Sequence, residues 1–164
     1  MPHELLYVKT RQGQFNSAVN VAYASAATAR IVRVAAQYAF GAITAGAYYS
    51  DARYSPDSAS RFSRAQHYRN VSIYGVWQAA PALSAVFAYN HLHASGNSSA
   101  RYRQLSAGAA GLLSKRTDLY AMVGYAHATG LNGSGVAQAV VGATGVDAGG
   151  PSQLRVNAGL RHRF

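Results

Sequence analysis

Residues 154–164 read LRVNAGLRHRF, and this stretch alternates strictly between two kinds of side chain. Leu154, Val156 and Leu160 fall on one side of an extended chain, whereas arginine, asparagine and glycine fall on the other. Successive side chains of a β-strand point to opposite faces, so a period of two over this length indicates a strand between an apolar and a polar environment.

The same period of two recurs along most of the chain. It predicts about eight strands, most of them about ten residues long. The predicted strands begin at Ala18, Arg30, Ile43, Asn70, Leu83, Arg103, Leu119 and Leu154. Strands of soluble proteins average about 5–6 residues, whereas strands tilted across a bilayer need about 9–11. The lengths therefore favour an all-β fold, an antiparallel transmembrane β-barrel.

The predicted connections differ between the two ends of the strands. Short turns are predicted at 40–41, 79–81 and 114–117, and long polar loops at 51–66, 93–100 and 128–153. Short turns on one side and long loops on the other are typical of outer-membrane barrels. A soluble barrel or sandwich is the alternative, because alternation alone does not say which face points inward.

Composition sets further bounds on the chain. It has 164 residues, a formal net charge of +10 and no cysteine, which excludes disulfides and thiol-based metal sites. The length suits one domain, so residues 1–164 are read as a single region. Residues 1–14 lack the apolar core of a secretory signal. The long uncharged stretch 71–90 breaks at Pro81 and does not predict a membrane helix.

Other classes of function find little support in the sequence. His91, His93 and His67 suggest a metal site, but no carboxylate or cysteine lies nearby, so we predict none. No nucleophile elbow, phosphate loop or pair of carboxylates appears, which predicts neither an enzyme nor a cofactor. The fifteen arginines and lysines are spread along the chain rather than clustered, which argues against nucleic-acid binding.

Several segments have the form of a strand joined to a short turn or of a closing strand: SKRTDLY at 114–120 followed by YAHATG at 125–130, YAFGAIT at 38–44, and the ending GLRHRF at 159–164. Together they resemble the general porins of beta-proteobacteria. Residues 6–15 are similar to an eroded form of the junction that precedes such strands. The resemblance covers nearly the whole chain but only the C-terminal half of the family's sequence. It implies part of a barrel of about sixteen strands, with residues 1–14 as the remnant of a preceding strand and turn.

The resemblance also implies a location and a function. It implies a Gram-negative outer membrane, contact with its lipid, trimers of the full-length protein, and passive diffusion of small hydrophilic solutes or ions. Two alternatives stay open: a small non-conducting anchor or adhesin barrel, and a truncated remnant without pore activity. Leu160 and Phe164 resemble the signal that the outer-membrane assembly machinery reads in a C-terminal strand.

The polar side of the predicted strands supplies the candidate pore lining. The candidates are Arg33, Gln37, Asn70, Ser72, Gln104, Arg155, Asn157 and Arg161. A positive field along a pore would favour anions. The aspartates are predicted in loops (Asp51, Asp57, Asp147) or in a turn (Asp118), so inward arginines would lack partners in a dry interior, and the pattern favours a wide, wet barrel. Arginines at loop ends, such as Arg69, Arg101 and Arg103, are alternatively explained by contact with lipid phosphates.

Overall fold

Eight antiparallel strands form one sheet in the computed structural model, which describes residues 3–10 as backbone, 19–142 and 148–164. The strands are β1 (His3–Thr10), β2 (Thr28–Phe40), β3 (Ile43–Ser55), β4 (Gln66–Ala80), β5 (Leu83–Gly96), β6 (Ala100–Leu112), β7 (Thr117–Gly130) and β8 (Ser152–His162). Each strand pairs with its neighbours in chain order. The predicted all-β antiparallel fold is confirmed, and the described residues of β1 and β8 do not pair to close the sheet.

Tight turns join the strands at one end of the sheet, which we call the turn end. Gly41 occupies the turn between β2 and β3 with a φ of +58°, a conformation that favours glycine because the Cβ atom of any other residue would crowd its own backbone. Pro81 lies in the turn between β4 and β5, and residues 113–116 join β6 to β7. The three short turns predicted from sequence are confirmed.

The strands extend further toward the opposite end, the loop end, than the sequence predicts. Strands β2 to β7 have 13–15 residues, so the loops shrink to 56–65, 97–99 and 131–151. The long loop predicted at 93–100 is therefore wrong. The pattern predicts a loop there because polar side chains such as His93 and Ser95 replace apolar ones on the apolar face, although backbone pairing continues through them.

The strand predicted from Ala18 is also wrong. Ala18 lies outside the described residues, residues 19–20 form a turn, and Val21–Tyr23 is a short 3-10 helix. Tyr23 is 0% exposed, and the burial of its ring outweighs the weak local alternation of an alanine-rich stretch. The eighth strand is instead β1, and the turn predicted after it lies outside the described residues. In the described ranges, no helix is long and apolar enough to cross a membrane.

The two faces of the sheet differ sharply in chemistry. On the apolar face, large side chains stay uncovered, with Trp77 54% and Val156 69% exposed. Such a continuous apolar surface is unusual in water and suits lipid. Phe40 and Trp77 lie near the turns, and further aromatic rings border the face toward the loops. These rings are Tyr49, Tyr89 and Tyr125.

The buried core lies on the polar face, at the loop end. Two segments, residues 19–27 and 131–142, fold across this face and are called the inward segments below. They cover small side chains such as Ala94 and Ala126 on the strands beneath them. The core is thus built between loops and sheet rather than between two layers of sheet.

Candidate pore lining

All eight predicted lining residues lie on the polar face. The register places Arg33 beside Ser50 and Asn70 in one cross-strand row. Further rows toward the turn end contain Ser72 with Gln104, Gln37 with Arg155, then Asn157 and finally Arg161. The sheet therefore brings these side chains to one surface. That this surface lines a water-filled pore stays a prediction.

Hydrogen bonds hold several of these polar groups along the wall. Tyr74 Oη donates to Gln37 Oε1 at 2.8 Å, and Gln104 Nε2 donates to Ser106 Oγ at 2.9 Å. Arg155 Nε donates to Asn157 Oδ1, also at 2.9 Å. These partners lie on the same face of the same or nearby strands. The bonds therefore fix the polar side chains against the sheet.

Glycines on the polar face let large side chains lie flat. A Cβ atom added at Gly46 would stand 2.3 Å from Tyr74 Cζ, and one at Gly159 would stand 2.5 Å from Tyr120 Oη. Each ring thus occupies the space above a glycine of the neighbouring strand. A glycine inside a strand often marks such a close approach. The glycines are visible in the sequence, but only the register of the strands shows which ring lies over each of them.

An ion pair on the polar face joins β7 to β8 near the turn end. Arg161 Nε donates to Asp118 Oδ1 at 2.9 Å, and a terminal guanidinium nitrogen donates to Oδ2 at 2.7 Å. Placing Asp118 in a turn was wrong, because it is the second residue of β7 and pairs in register with Arg161. This fork-shaped pairing balances the charge of Arg161, whereas Arg33 and Arg155 take no part in it.

The first inward segment is anchored by an aromatic cluster. The Tyr23 ring lies 4.9 Å from the Phe62 ring and 6.0 Å from the Tyr68 ring, measured between centroids. The hydroxyl of Tyr68 donates to the carbonyl of Val19 at 3.0 Å, and the hydroxyls of Tyr23 and Ser98 are hydrogen-bonded. Tyr23 lies within the strand predicted from Ala18, and no pattern in the sequence indicated this cluster.

The second inward segment reaches down to the middle of the polar face. Val141 N donates to Gln153 Oε1 at 2.6 Å, and Gly142 N donates to Gln104 Oε1 at 3.2 Å. Val141 also lies above Gly124, where an added Cβ atom would stand 2.6 Å from its Cγ1. The segment therefore occupies part of the space in front of the polar face, and the space that remains open there is narrower.

A cavity of about 240 Å³ lies between the first inward segment and the sheet. Its walls include Arg33, Ser50 and Asn70. Within the described ranges, Asn70 Oδ1 is a buried side-chain oxygen without a hydrogen-bond partner from the protein. A buried polar atom of this kind requires an explanation, and a polar cavity beside it has room for water.

The three histidines considered for a metal site lie on the apolar face. Arg69 is the cross-strand neighbour of His93, and Arg103 is the neighbour of His91. The described ranges contain no group of three histidine, cysteine or acidic side chains placed to hold a metal ion.

Comparison with known proteins gives a family match over most of the chain. A family model described as Gram-negative porin matches residues 5–131. The match includes five of the eight candidate lining residues, while Arg155, Asn157 and Arg161 follow it in the chain. No curated protein matches the chain.

Proposed function

Because the chain belongs to the Gram-negative porin family and to the outer membrane, we propose that its polar face is the wall of a water-filled pore. Small hydrophilic solutes and ions diffuse passively through this pore, with no catalytic step and no cofactor. The observation that carries the proposal is the flat polar wall, in which rings such as those of Tyr74 and Tyr120 lie over glycines.

Side chains that lie flat against the sheet fit a barrel with a wide, open lumen better than a barrel whose interior is filled by side chains. In a closed barrel of eight strands, side chains fill the interior. The large side chains here lie along the sheet, and much of the remaining lining is serine, alanine and glycine. We therefore propose that residues 1–164 form one region in the C-terminal portion of a larger barrel. The resemblance to general porins further suggests that three such barrels associate as a trimer.

The unpartnered oxygen of Asn70 supports water at the lining. The cavity beside it also contains Arg33, one of the proposed pore residues. Water would donate a hydrogen bond to Asn70 Oδ1 and hydrate the Arg33 guanidinium, and a passing solute would replace that water. The inward segments would then act as the constriction, because they occupy part of the space above the same face.

We also propose a role for the last strand in assembly. Leu160 is exposed on the apolar face of β8, and Phe164 follows the strand with its ring 4.8 Å from the His162 ring. A strand edge with alternating apolar side chains can add to the sheet of a partner. The partner proposed here is the outer-membrane assembly machinery.

Single-channel recording tests the pore. The full chain is refolded into planar bilayers, and gel mobility before and after heating reports whether a folded barrel has formed. We expect stable current steps. A heat-modifiable species without current would indicate a non-conducting anchor or adhesin barrel, and the absence of both signals would indicate a remnant without pore activity.

Replacing Arg33 and Arg155 with glutamine should reduce the preference of the pore for anions. Two unit charges about 4 Å apart in water interact by about 1 kcal/mol, a factor of about five, and each arginine attracts chloride while it repels potassium, so the chloride-to-potassium permeability ratio should fall at least about fivefold. Reversal potentials in a salt gradient measure this ratio. The matched control replaces Lys115 and Arg116, which lie in a turn and away from the lining. An equal shift in both variants would contradict the proposed lining.

A further inference from the structure

A small apolar patch interrupts the polar face toward its turn end. Val76, Val86 and Met122 lie on this face at places where the sequence does not alternate, because each of them precedes an apolar residue of the other face. The register of the sheet brings all three into one cross-strand row with Gly108 and Asn157. We call Val76, Val86 and Met122 the wall patch.

The space over Gly108 joins two members of the wall patch. A Cβ atom added at Gly108 would stand 2.9 Å from Met122 Cγ and 3.4 Å from Val86 Cγ1, so both side chains border this space. Met122 is 45% exposed, and the two valines are half-buried. Removing apolar surface from water is favourable. The wall patch is therefore suited to hold an apolar group.

A cavity of about 310 Å³ is lined by the wall patch and extends toward the turn end. Its walls also include Ser84, Ala110 and Tyr120 in the next cross-strand row, and the ion pair of Asp118 with Arg161 beyond them. Pockets for small molecules usually have about 300–1,000 Å³, a mostly apolar lining and a few placed polar groups. The volume and the lining therefore suit one small solute with an apolar part and a polar end.

The charged group that is exposed at the turn end of this cavity is a cation. Asp118 accepts hydrogen bonds from Nε and one terminal nitrogen of Arg161, and only 7% of the aspartate side chain is exposed. The arginine side chain is 59% exposed, and its other terminal nitrogen carries two further N–H donors. A carboxylate is the group of a solute that best accepts such donors.

We propose that this cavity binds amphipathic monocarboxylates, in which a short chain joins an aromatic or branched apolar group to one carboxylate. The apolar group lies on the wall patch, where the thioether of Met122 contacts an aromatic ring. The carboxylate accepts hydrogen bonds from Arg161. Met122 and Asp118 are four residues apart along β7, or about 13 Å, so the two ends of the solute need a chain between them.

The proposal rests on the proposed pore, since only a water-filled lumen brings solutes to the polar face. It differs from a general preference for anions, because Asp118 balances the charge of Arg161. A small anion without an apolar part therefore has little to gain at this site. The wall patch selects for the apolar part of the solute.

Binding of an arylalkyl carboxylate tests the proposal without a measurement of current. The full chain is refolded into phosphatidylcholine nanodiscs, and fluorine NMR titration of fluorophenylpropionate measures the dissociation constant, with empty nanodiscs as the background. Propionate lacks the ring, and phenylpropionamide keeps the shape but lacks the charge. As competitors, both should bind at least about tenfold more weakly than phenylpropionate.

Two matched variants locate the apolar part of the site. Met122→Gln removes an apolar side chain from the wall patch, and Leu113→Gln makes the same kind of change at an exposed residue of the turn between β6 and β7. Affinity should fall at least about fivefold in Met122→Gln and stay within about twofold of the parent in Leu113→Gln, because only the first loses apolar contact with the solute. Gel mobility confirms folding. If Met122→Gln does not fold, Val86→Thr tests the same patch with a side chain of similar size.

A double variant tests the polar end of the site. Asp118→Asn combined with Arg161→Gln removes the ion pair without leaving an unpaired charge. Phenylpropionate and phenylpropionamide should then bind with equal affinity, because the guanidinium that distinguishes them is gone. A preference for the acid that persists in this variant would overturn the role of Arg161.

Three further results would overturn the proposal. They are equal affinities of Met122→Gln and Leu113→Gln, equal binding of propionate and phenylpropionate by the parent, and equal binding of the acid and the amide by the parent. A chain that conducts but does not bind phenylpropionate would overturn the site and leave the pore standing. A folded chain that binds phenylpropionate without conducting would support the site and contradict the pore.

Discussion

A Val123→Arg variant is expected to lose roughly 2–4 kcal/mol of folding free energy in a lipid bilayer. Val123 lies near the middle of β7 on the apolar face, in register with Ala107 and Val156. A guanidinium at this depth either loses its hydration or must extend across many ångströms of lipid to the headgroups, and both are costly. Urea titration of the vesicle-embedded protein, followed by fluorescence of the single tryptophan, Trp77, measures the loss.

The matched control is Met122→Arg, at the adjacent position of the same strand. Met122 is 45% exposed and Val123 is 41% exposed, but their side chains lie on opposite faces. A charge at Met122 would enter the polar side and should cost much less than one at Val123. Equal losses in the two variants would show that the two faces have been assigned incorrectly.

A Tyr23→Ala variant is expected to lower the free energy that holds the first inward segment on the sheet by about 3–5 kcal/mol. This is the usual cost of deleting a large buried aromatic side chain. Tyr23 is fully buried, contacts the Phe62 and Tyr68 rings, and is hydrogen-bonded to Ser98. Its ring also lies against Gly133, so the loss should reach the second inward segment. Amide hydrogen exchange across residues 21–27 and 131–139 measures the change.

Two variants separate packing from other effects. Tyr23→Phe keeps the ring and should cost only about 0.5–1.5 kcal/mol through the lost hydroxyl. Tyr38→Ala removes an exposed ring from the apolar face and should leave exchange in the inward segments unchanged. Exchange rates in Tyr23→Ala that match those of the parent would mean that the ring does not anchor the segment.

Local alternation carried most of the fold. Each strand from β2 to β8 contains enough residues to separate an apolar from a polar face. The period of two can therefore be recognised in the sequence of a single strand, whichever strands lie beside it. The same alternation predicts that Arg33, Gln104 and Arg155 share one surface, and the register confirms that they do. It failed for residues 19–24, where small apolar side chains give the pattern little contrast.

The errors at the strand ends share one cause. The sequence pattern predicts Asp118 in a turn and Asp51 in a loop, because charged residues there break the apolar alternation. Their strands continue because the ladder depends on backbone groups, and each carboxylate meets an arginine of the adjacent strand. Sequence spacing does not reveal these pairs, since Asp118 and Arg161 are 43 residues apart.

The sequence by itself determined the all-β fold, the two faces of each strand, and the turns at one end, because these depend on side chains close together along the chain. Only the tertiary structure decided which residues share a cross-strand row, and therefore which aromatic rings lie over glycines. It also decided the path of the inward segments. Their positions depend on buried contacts of groups such as Tyr23 and Val141 with distant strands, and no local pattern encodes such contacts.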